Sequence, residues 1–181
     1  NLDASDGRPG GWRPRMSGHT VDIDVTDDGS RVLMAGYSNR INDDYNHGYF
    51  GITDAASGNP ISGVGAWEPS TTGAKYQQAV KDLGDGRIFV GGSEHDIQLW
   101  DWDRDTLLDA AITRSGGDTQ AIEVVGGKAY IACHCANWVY EGTNSWPTPA
   151  GYRNVEPINL VGAWDTDTWT VDDSWYPSSL K

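Results

Sequence analysis

The chain has 181 residues, with 13 Lys and Arg against 26 Asp and Glu, which gives a formal net charge of −13. This length suits one domain with its own hydrophobic core. The negative charge argues against nucleic acid and anionic membrane surfaces as partners, and no apolar run approaches the ~18 residues of a membrane-spanning helix, so we expect no membrane insertion.

Short strands separated by glycine-containing turns are predicted along the whole chain. The first strand of a unit alternates apolar and polar residues, as at residues 21–25 and 121–125, which is the pattern of a half-buried strand. After a hairpin turn that contains glycine, the second strand is a nearly continuous apolar run, which indicates burial on both faces. Its three copies are residues 31–36, 87–92 and 128–133. No segment combines a sustained 3.6-residue period with caps, so we predict no helices.

An Asp opens a tight turn after the third strand of each unit, where its side chain is expected to accept backbone N–H groups. The four turn residues are Asp3, Asp54, Asp103 and Asp165, at intervals of 51, 49 and 62 positions. A Trp-x-Pro sequence follows three of these turns and begins at Trp12, Trp67 and Trp175. A period near 50 residues predicts repeated supersecondary units that bury their apolar faces against one another.

Four-stranded antiparallel units at this spacing are typical of β-propeller blades. In its Asp turns and its Trp-x-Pro cadence the chain resembles the secreted WD40-like β-propeller repeats of bacteria, and the resemblance covers nearly all of the 181 residues. It implies an all-β fold with about three complete four-stranded blades plus part of a fourth. A β-sandwich is the alternative, although a sandwich has no need of a ~50-residue repeat.

The phase of the repeat divides residues 1–181, taken as a single β-propeller segment, into approximate units. These are residues 1–18, the end of one blade, followed by 19–70, 71–118 and 119–181. Propellers close with ~4–8 blades. We therefore expect either a fragment of a larger propeller or an array that associates with itself.

The only two cysteines flank a histidine in Cys133-His134-Cys135, at the end of a predicted second strand. Alternation along a strand would place the two cysteines on one face and His134 on the other, so all three cannot ligate one metal without a bulge. Same-face Cα atoms lie ~6.6–7 Å apart, at the limit for a disulfide. Simple burial, a local disulfide at a bent backbone and a metal site all remain open.

Four carboxylates are closely spaced in one predicted turn, at Asp101, Asp103, Asp105 and Asp109. Oxygen ligands at the first, third, fifth and ninth positions of a tight loop resemble the calcium loops of some propellers. Thr106 stands where such loops usually have glycine. The alternative is that Asp103 only closes the repeat turn and that no cofactor is bound.

The segments between the second and third strands differ in length between units, and variable loops on a rigid scaffold often carry binding residues. The longest insertion is residues 136–157, and a shorter one is residues 38–48. Exposed aromatic rings among polar groups suit a sugar ring or a protein surface. We predict that the ligand-binding residues are Tyr45, His47, Trp138, Tyr140, Trp146, Tyr152 and Arg153. The alternative is that the aromatic side chains pack against their own blade.

The composition is acidic, glycine-rich and poor in lysine, which we associate with an extracellular bacterial protein. The sequence thus predicts a secreted, non-catalytic binding or structural module that presents an aromatic loop face to a protein or carbohydrate partner. The alternative is a propeller-type lyase, hydrolase or quinoprotein in which Asp22, Asp24 and Glu123 near the central channel perform acid–base chemistry. No nucleophile–base pair or phosphate-binding loop in the sequence favours this alternative.

Overall fold

A computed structural model of the chain describes residues 5–6, 10–44, 49–61, 76–92, 95–104, 106–145 and 147–175. Within these ranges the protein consists of ten β-strands joined by turns, without a helix, which confirms the all-β prediction. Accordingly, the described residues contain no helix that is long and apolar enough to cross a membrane.

The strands form two antiparallel sheets. They are β1 Thr20–Val25, β2 Arg31–Gly36, β3 Phe50–Asp54, β4 Gln77–Gly84, β5 Arg87–Gly92, β6 Asp96–Asp101, β7 Thr106–Val125, β8 Lys128–Glu141, β9 Asn154–Asp165 and β10 Thr170–Val171. One sheet has the order β1-β2-β3, and the other has the order β10-β9-β8-β7-β6-β5-β4. We call β1–β3 unit one, β4–β6 with the first half of β7 unit two, and the second half of β7 with β8–β10 unit three.

The hydrophobic core lies between stacked units, as the repeat predicts. Leu33 and Ile52 of unit one share a buried cluster with Val80 and Ile88 of unit two. A larger cluster joins units two and three and includes Phe89, Leu99, Ile131 and Trp164. Each unit therefore buries apolar side chains against the next one, because a single sheet cannot cover its own faces.

The second strands confirm the predicted burial in two of the three units. All but the first residue of both β2 and β5 are buried. In β8, by contrast, buried and more exposed residues alternate. The prediction of burial on both faces is therefore wrong for β8, because one of its faces, with Ala132 and His134, is exposed to solvent.

The first strand of unit one is oriented opposite to the usual alternation. Val21, Ile23 and Val25 are about half exposed, whereas Asp22 and Asp24 are partly buried. The reason is a pair of hydrogen bonds across the unit boundary. The N–H of Val80 donates to Asp22 Oδ2 at 2.9 Å, and the N–H of Asp82 donates to Asp24 Oδ2 at 2.8 Å.

Strand β7 belongs to two units. Its first half pairs with β6 and its second half, up to Val125, pairs with the start of β8. The predicted unit boundary between residues 118 and 119 therefore falls inside a continuous strand. Gly116, with φ of +66°, lies where the pairing of β7 with β8 shifts register.

The predicted Asp turns are present at Asp54 and Asp165. In each turn the carboxylate accepts backbone N–H groups two and three residues later, at 2.8–3.2 Å. In the second unit, however, this position is occupied by Asp101, which accepts the N–H of Arg104 at 3.0 Å. The assignment of Asp103 to the repeat turn is therefore wrong by two residues, since β6 continues to Asp101 before the chain turns.

Two of the three Trp-x-Pro tryptophans lie at the outer units. Trp12 donates from Nε1 to Thr53 Oγ1 at 3.0 Å, and Trp175 packs edge-on against Tyr130 with ring centroids 4.9 Å apart. Trp67 and residues 1–4, including the turn residue Asp3, are outside the described residues.

Candidate functional site

The long insertion between the second and third strands of unit three is mostly a β-hairpin. Strand β8 continues to Glu141 and β9 begins at Asn154, so that residues 136–141 pair with residues 154–159. The end of this extension also pairs with Ala111–Thr113 of β7. The expectation of a loop over residues 136–157 is therefore wrong for the paired parts, because alternating residues of the insertion fit a pleated sheet with one buried face.

A bulge spanning three strands separates the hairpin from the rest of unit three. Residues 133–135 of β8 lie opposite Leu160 of β9, and the β7 partners of Cys135 and Cys133 are Gly116 and Thr119. Two residues opposite β8, Leu160 and Gly116, have positive φ angles of 64° and 66°. Such a bulge bends the strand and shortens the distance between alternate Cα atoms.

This bend settles the state of the cysteines. Cys133 and Cys135 form a disulfide with a Cα–Cα distance of 5.2 Å, and both residues are buried. Gly116 is needed at this level, since a Cβ atom there would lie 1.6 Å from the carbonyl oxygen of His134. The local disulfide is thus the correct one of the three alternatives, and His134 is exposed beside it.

Above the bulge, one face of the hairpin carries aromatic rings. Trp138 and Tyr140 alternate along β8 and therefore project from the same side of the sheet. Tyr140 contacts Tyr152 edge-to-face with ring centroids 5.1 Å apart, and its hydroxyl accepts a hydrogen bond from Arg114 Nη1 at 3.4 Å. Trp138 and Tyr152 are each 46% exposed. We call Trp138, Tyr140 and Tyr152 the aromatic face.

The opposite side of the hairpin is fixed by a buried acidic residue and Arg153. Glu141 is 1% exposed and accepts the N–H of Val171 at 2.5 Å. Arg153 Nη1 lies 2.6 Å from Asp109 Oδ2, its Nε lies 3.8 Å from Glu141 Oε2, and its Nη2 donates to the carbonyl of Trp169 at 2.8 Å. These contacts give Arg153 a positioning role that the sequence did not reveal.

The other predicted ligand-binding residues are Tyr45, His47 and Trp146, which lie outside the described residues. They remain predictions. Of the four predicted calcium ligands, Asp105 is also outside the described residues. Asp101 forms an ion pair with Arg104 Nη1 at 2.8 Å, whereas Asp109 pairs with Arg153 as described above.

The described residues contain no cluster of three or more His, Cys, Asp or Glu side chains that could hold a metal ion. The calcium site therefore gains no support from the part of the chain that the structure describes, and it stays a prediction.

The predicted channel carboxylates surround a lysine that sequence reasoning missed. Lys81 Nζ lies 3.5 Å from Asp24 Oδ1 and 3.6 Å from Glu123 Oε1, so that it links unit one to unit three. Burial lowers the pKa of Lys81, but the charges of Asp24 and Glu123 outweigh this effect and raise the pKa above its ordinary value. In the repeat register, counted from Arg31, Arg87 and Lys128, Lys81 occupies the same position as Asp24 and Glu123, and that register was the signal available.

Neither a protein-family model nor a curated protein sequence matches the chain. Three solved structures are similar to it. The WD40 repeats of RRP9 match with a TM-score of 0.53 at 12% identity, covering 94% of this chain and 54% of that chain. U3-55K matches with a TM-score of 0.52 at 12% identity, covering 94% and 55%. Raptor of Chaetomium thermophilum matches with a TM-score of 0.51 at 10% identity, covering 83% and 15%.

The chain spans about half the length of the first two of these structures. At identities of 12% and below, the likenesses bear on the fold alone. The fold of the chain is WD40-like, built of antiparallel β-sheets as in a β-propeller.

Proposed function

We propose that the chain is a non-catalytic, extracellular β-propeller module that binds a protein partner through the aromatic face. The observation that carries the proposal is the position of Trp138 and Tyr152, which are large rings held by a paired hairpin and yet half exposed. Had the insertion packed against its own unit, as the alternative interpretation expected, these rings would be buried. They supply apolar area to a partner instead.

Aromatic side chains on strands are well suited to such contacts. They have few rotatable bonds, so little conformational entropy is lost when a partner covers them, and they are enriched in the centres of protein interfaces. The hydroxyl of Tyr140 and the guanidinium of Arg114 add polar contacts beside the rings. Because the chain carries a net charge of −13, a neutral or basic partner surface is favoured over an acidic one.

A protein partner is favoured over a carbohydrate by the shape of the surface. Small ligands are usually held in concave sites. The clefts of about 330 Å³ and 460 Å³ on this protein are lined by other residues, among them Trp102 in the first and Trp12 in the second. The WD40-like fold is in keeping with a protein-interaction module.

The extracellular setting is supported by the disulfide between Cys133 and Cys135, since disulfides persist mainly in oxidising compartments. The enzyme alternative has weaker support. Asp22 and Asp24 accept backbone N–H groups of β4, and Asp24 and Glu123 both pair with Lys81. These carboxylates join units together, which leaves them poorly placed for acid–base chemistry on a substrate.

The test compares three immobilised baits: the unchanged chain, the double variant Trp138→Ser/Tyr152→Ser, and the control Tyr37→Ser. Tyr37 is a suitable control because it is 47% exposed and stacks on Tyr76 with centroids 4.4 Å apart, in unit one. Proteins retained from the secreted fraction of the source organism are identified by mass spectrometry, and the retained partner is then purified and titrated against each bait.

We expect the purified partner to bind the unchanged chain and the control equally and to lose at least ~10-fold in affinity for the double variant, as for aromatic interface residues. Equal thermal unfolding of the three baits shows that the fold is intact, since exposed substitutions change stability by about ±0.5 kcal/mol. Unchanged partner binding by the double variant overturns the proposal. Saturable binding to a glycan array that the double variant loses, without a protein partner, replaces it with the carbohydrate alternative.

A further inference from the structure

The two outermost sheet faces of the array are exposed at positions that are buried between units. We call the side of unit one that carries Ile23, Val25 and Met34 the leading face. We call the side of unit three that carries Ala121, Tyr130 and Ala132 the trailing face. In each of them, cross-strand pairing places the named residues on one side of the sheet.

Counting back from the pairing with the second strand, Ile23 corresponds to Val80 in unit two and to Ile122 in unit three. The side chains at these equivalent positions differ sharply in exposure. Val80 is 2% exposed and Ile122 is 7% exposed, because each faces the preceding unit, whereas Ile23 is 53% exposed. The leading face is therefore an inter-unit surface without a unit against it among the described residues.

The residues that cover Val80 identify what fits this surface. Val80 lies in a cluster with Leu33 and Ala35, which project from the far side of unit one. Counted from Arg31 and Lys128, the equivalents of Leu33 and Ala35 in unit three are Tyr130 and Ala132, on the trailing face. Tyr130 is partly exposed and Ala132 is exposed. The trailing face thus presents, at the same positions, the side chains that a leading face packs against.

The charged groups at these boundaries follow the same equivalence. Asp24 crosses from unit one to the N–H of Asp82 and to Lys81 of unit two. Glu123 occupies the corresponding position of unit three, and its side chain is 67% exposed. It is placed to cross to the first strand of a following unit in the way that Asp24 does.

We propose that the leading face of one copy of the chain packs against the trailing face of a second copy, in a head-to-tail junction of the kind already formed between the units. A cleft of about 460 Å³ on the leading face, lined by Trp12, Met16, Ile23 and Met34, shows that the segment before β1 covers this face only in part. Two copies that close on each other would join two three-unit arrays, within the ~4–8 blades at which propellers close. This inference is independent of the aromatic face, which lies on neither surface.

The test is sedimentation velocity of the purified 181-residue chain at micromolar concentrations, with three single variants. Ile23→Asp places a charge on the leading face and Ala132→Lys places one on the trailing face. Leu108→Asp is the matched control, because Leu108 is also a half-exposed apolar residue but belongs to neither face. Circular dichroism of each variant establishes that it is folded.

A head-to-tail junction needs one leading and one trailing face. We therefore expect the unchanged chain and Leu108→Asp to associate, and Ile23→Asp and Ala132→Lys each to be monomeric. A mixture of these two monomeric variants should recover a one-to-one complex, because the intact trailing face of the first meets the intact leading face of the second. A monomeric unchanged chain overturns the proposal. So does association of Ala132→Lys alone, or folded single variants whose mixture stays monomeric, since both indicate a different interface.

Discussion

Replacement of Gly116 by alanine tests the bulge that sets the aromatic hairpin apart. Gly116 has φ of +66°, and a Cβ atom there would lie 1.6 Å from the carbonyl oxygen of His134. Gly126, in the turn between β7 and β8, has a similar φ of +59°, but a Cβ atom there meets nothing within 4 Å. The two glycines thus share backbone strain and differ in the space available to a side chain.

The expected losses follow from this difference. Alanine in the left-handed region costs ~1–2 kcal/mol per residue, which is the whole expected effect of Gly126→Ala. Gly116→Ala adds the displacement of a neighbouring strand, and overpacking of this kind costs a further ~1–3 kcal/mol or more. We therefore expect Gly116→Ala to lower the free energy of unfolding by ~2–5 kcal/mol in total.

The measurement is urea unfolding of both variants and the unchanged chain, followed by the fluorescence of the nine tryptophans. Equal losses for Gly116→Ala and Gly126→Ala would refute the close approach of β7 to β8 at this level. Unchanged exposure of Trp138 to a soluble quencher in Gly116→Ala would show in addition that the hairpin does not depend on the bulge.

Three further predictions concern the core, the response to acid and the junction between units. Trp164→Ala should lower the free energy of unfolding by ~3–5 kcal/mol, measured in urea, because this indole is fully buried. The N–H and hydroxyl of Ser30 hold the pKa of Asp28 at about 2, below its ordinary 3.8, so its stabilising effect is present above pH 3.8 and is lost as the pH falls toward 2; a pH series of melting temperatures should be flatter for Asp28→Asn. Asp24→Ala leaves the N–H of Asp82 without its carboxylate and should cost ~1–3 kcal/mol in the same urea assay.

Much of the strand pattern was predictable because it depends on local chemistry. The apolar runs of β2 and β5 and the Asp turns at Asp54 and Asp165 could be recognised from residues within a few positions of each other. The misplacement of the turn residue from Asp101 to Asp103 was avoidable. Trp-Asp pairs at residues 100–101 and 164–165 end the third strands of two units alike, and aligning them would have given the correct position.

The features that escaped prediction depend on contacts between distant residues. Nothing near Asp22 in the sequence indicates that its carboxylate accepts the N–H of Val80, a residue 58 positions away. The extension of β8 to Glu141 likewise depends on β7, whose outer half offers pairing partners at Ala111–Thr113. In the aromatic hairpin the alternation was visible, but its length favoured a loop, and only the paired strands explain why Trp138 is exposed.

The sharing of β7 between two units has a consequence for cooperativity. Repeat arrays usually gain and lose structure one repeat at a time, since each repeat contacts only its neighbours. Here the outer strand of one repeat and the inner strand of the next are a single 20-residue segment, so neither can melt without exposing the hydrogen bonds of the other. The second and third repeats should therefore open as one foldon in amide exchange, whereas the first, which has its own sheet, can open separately.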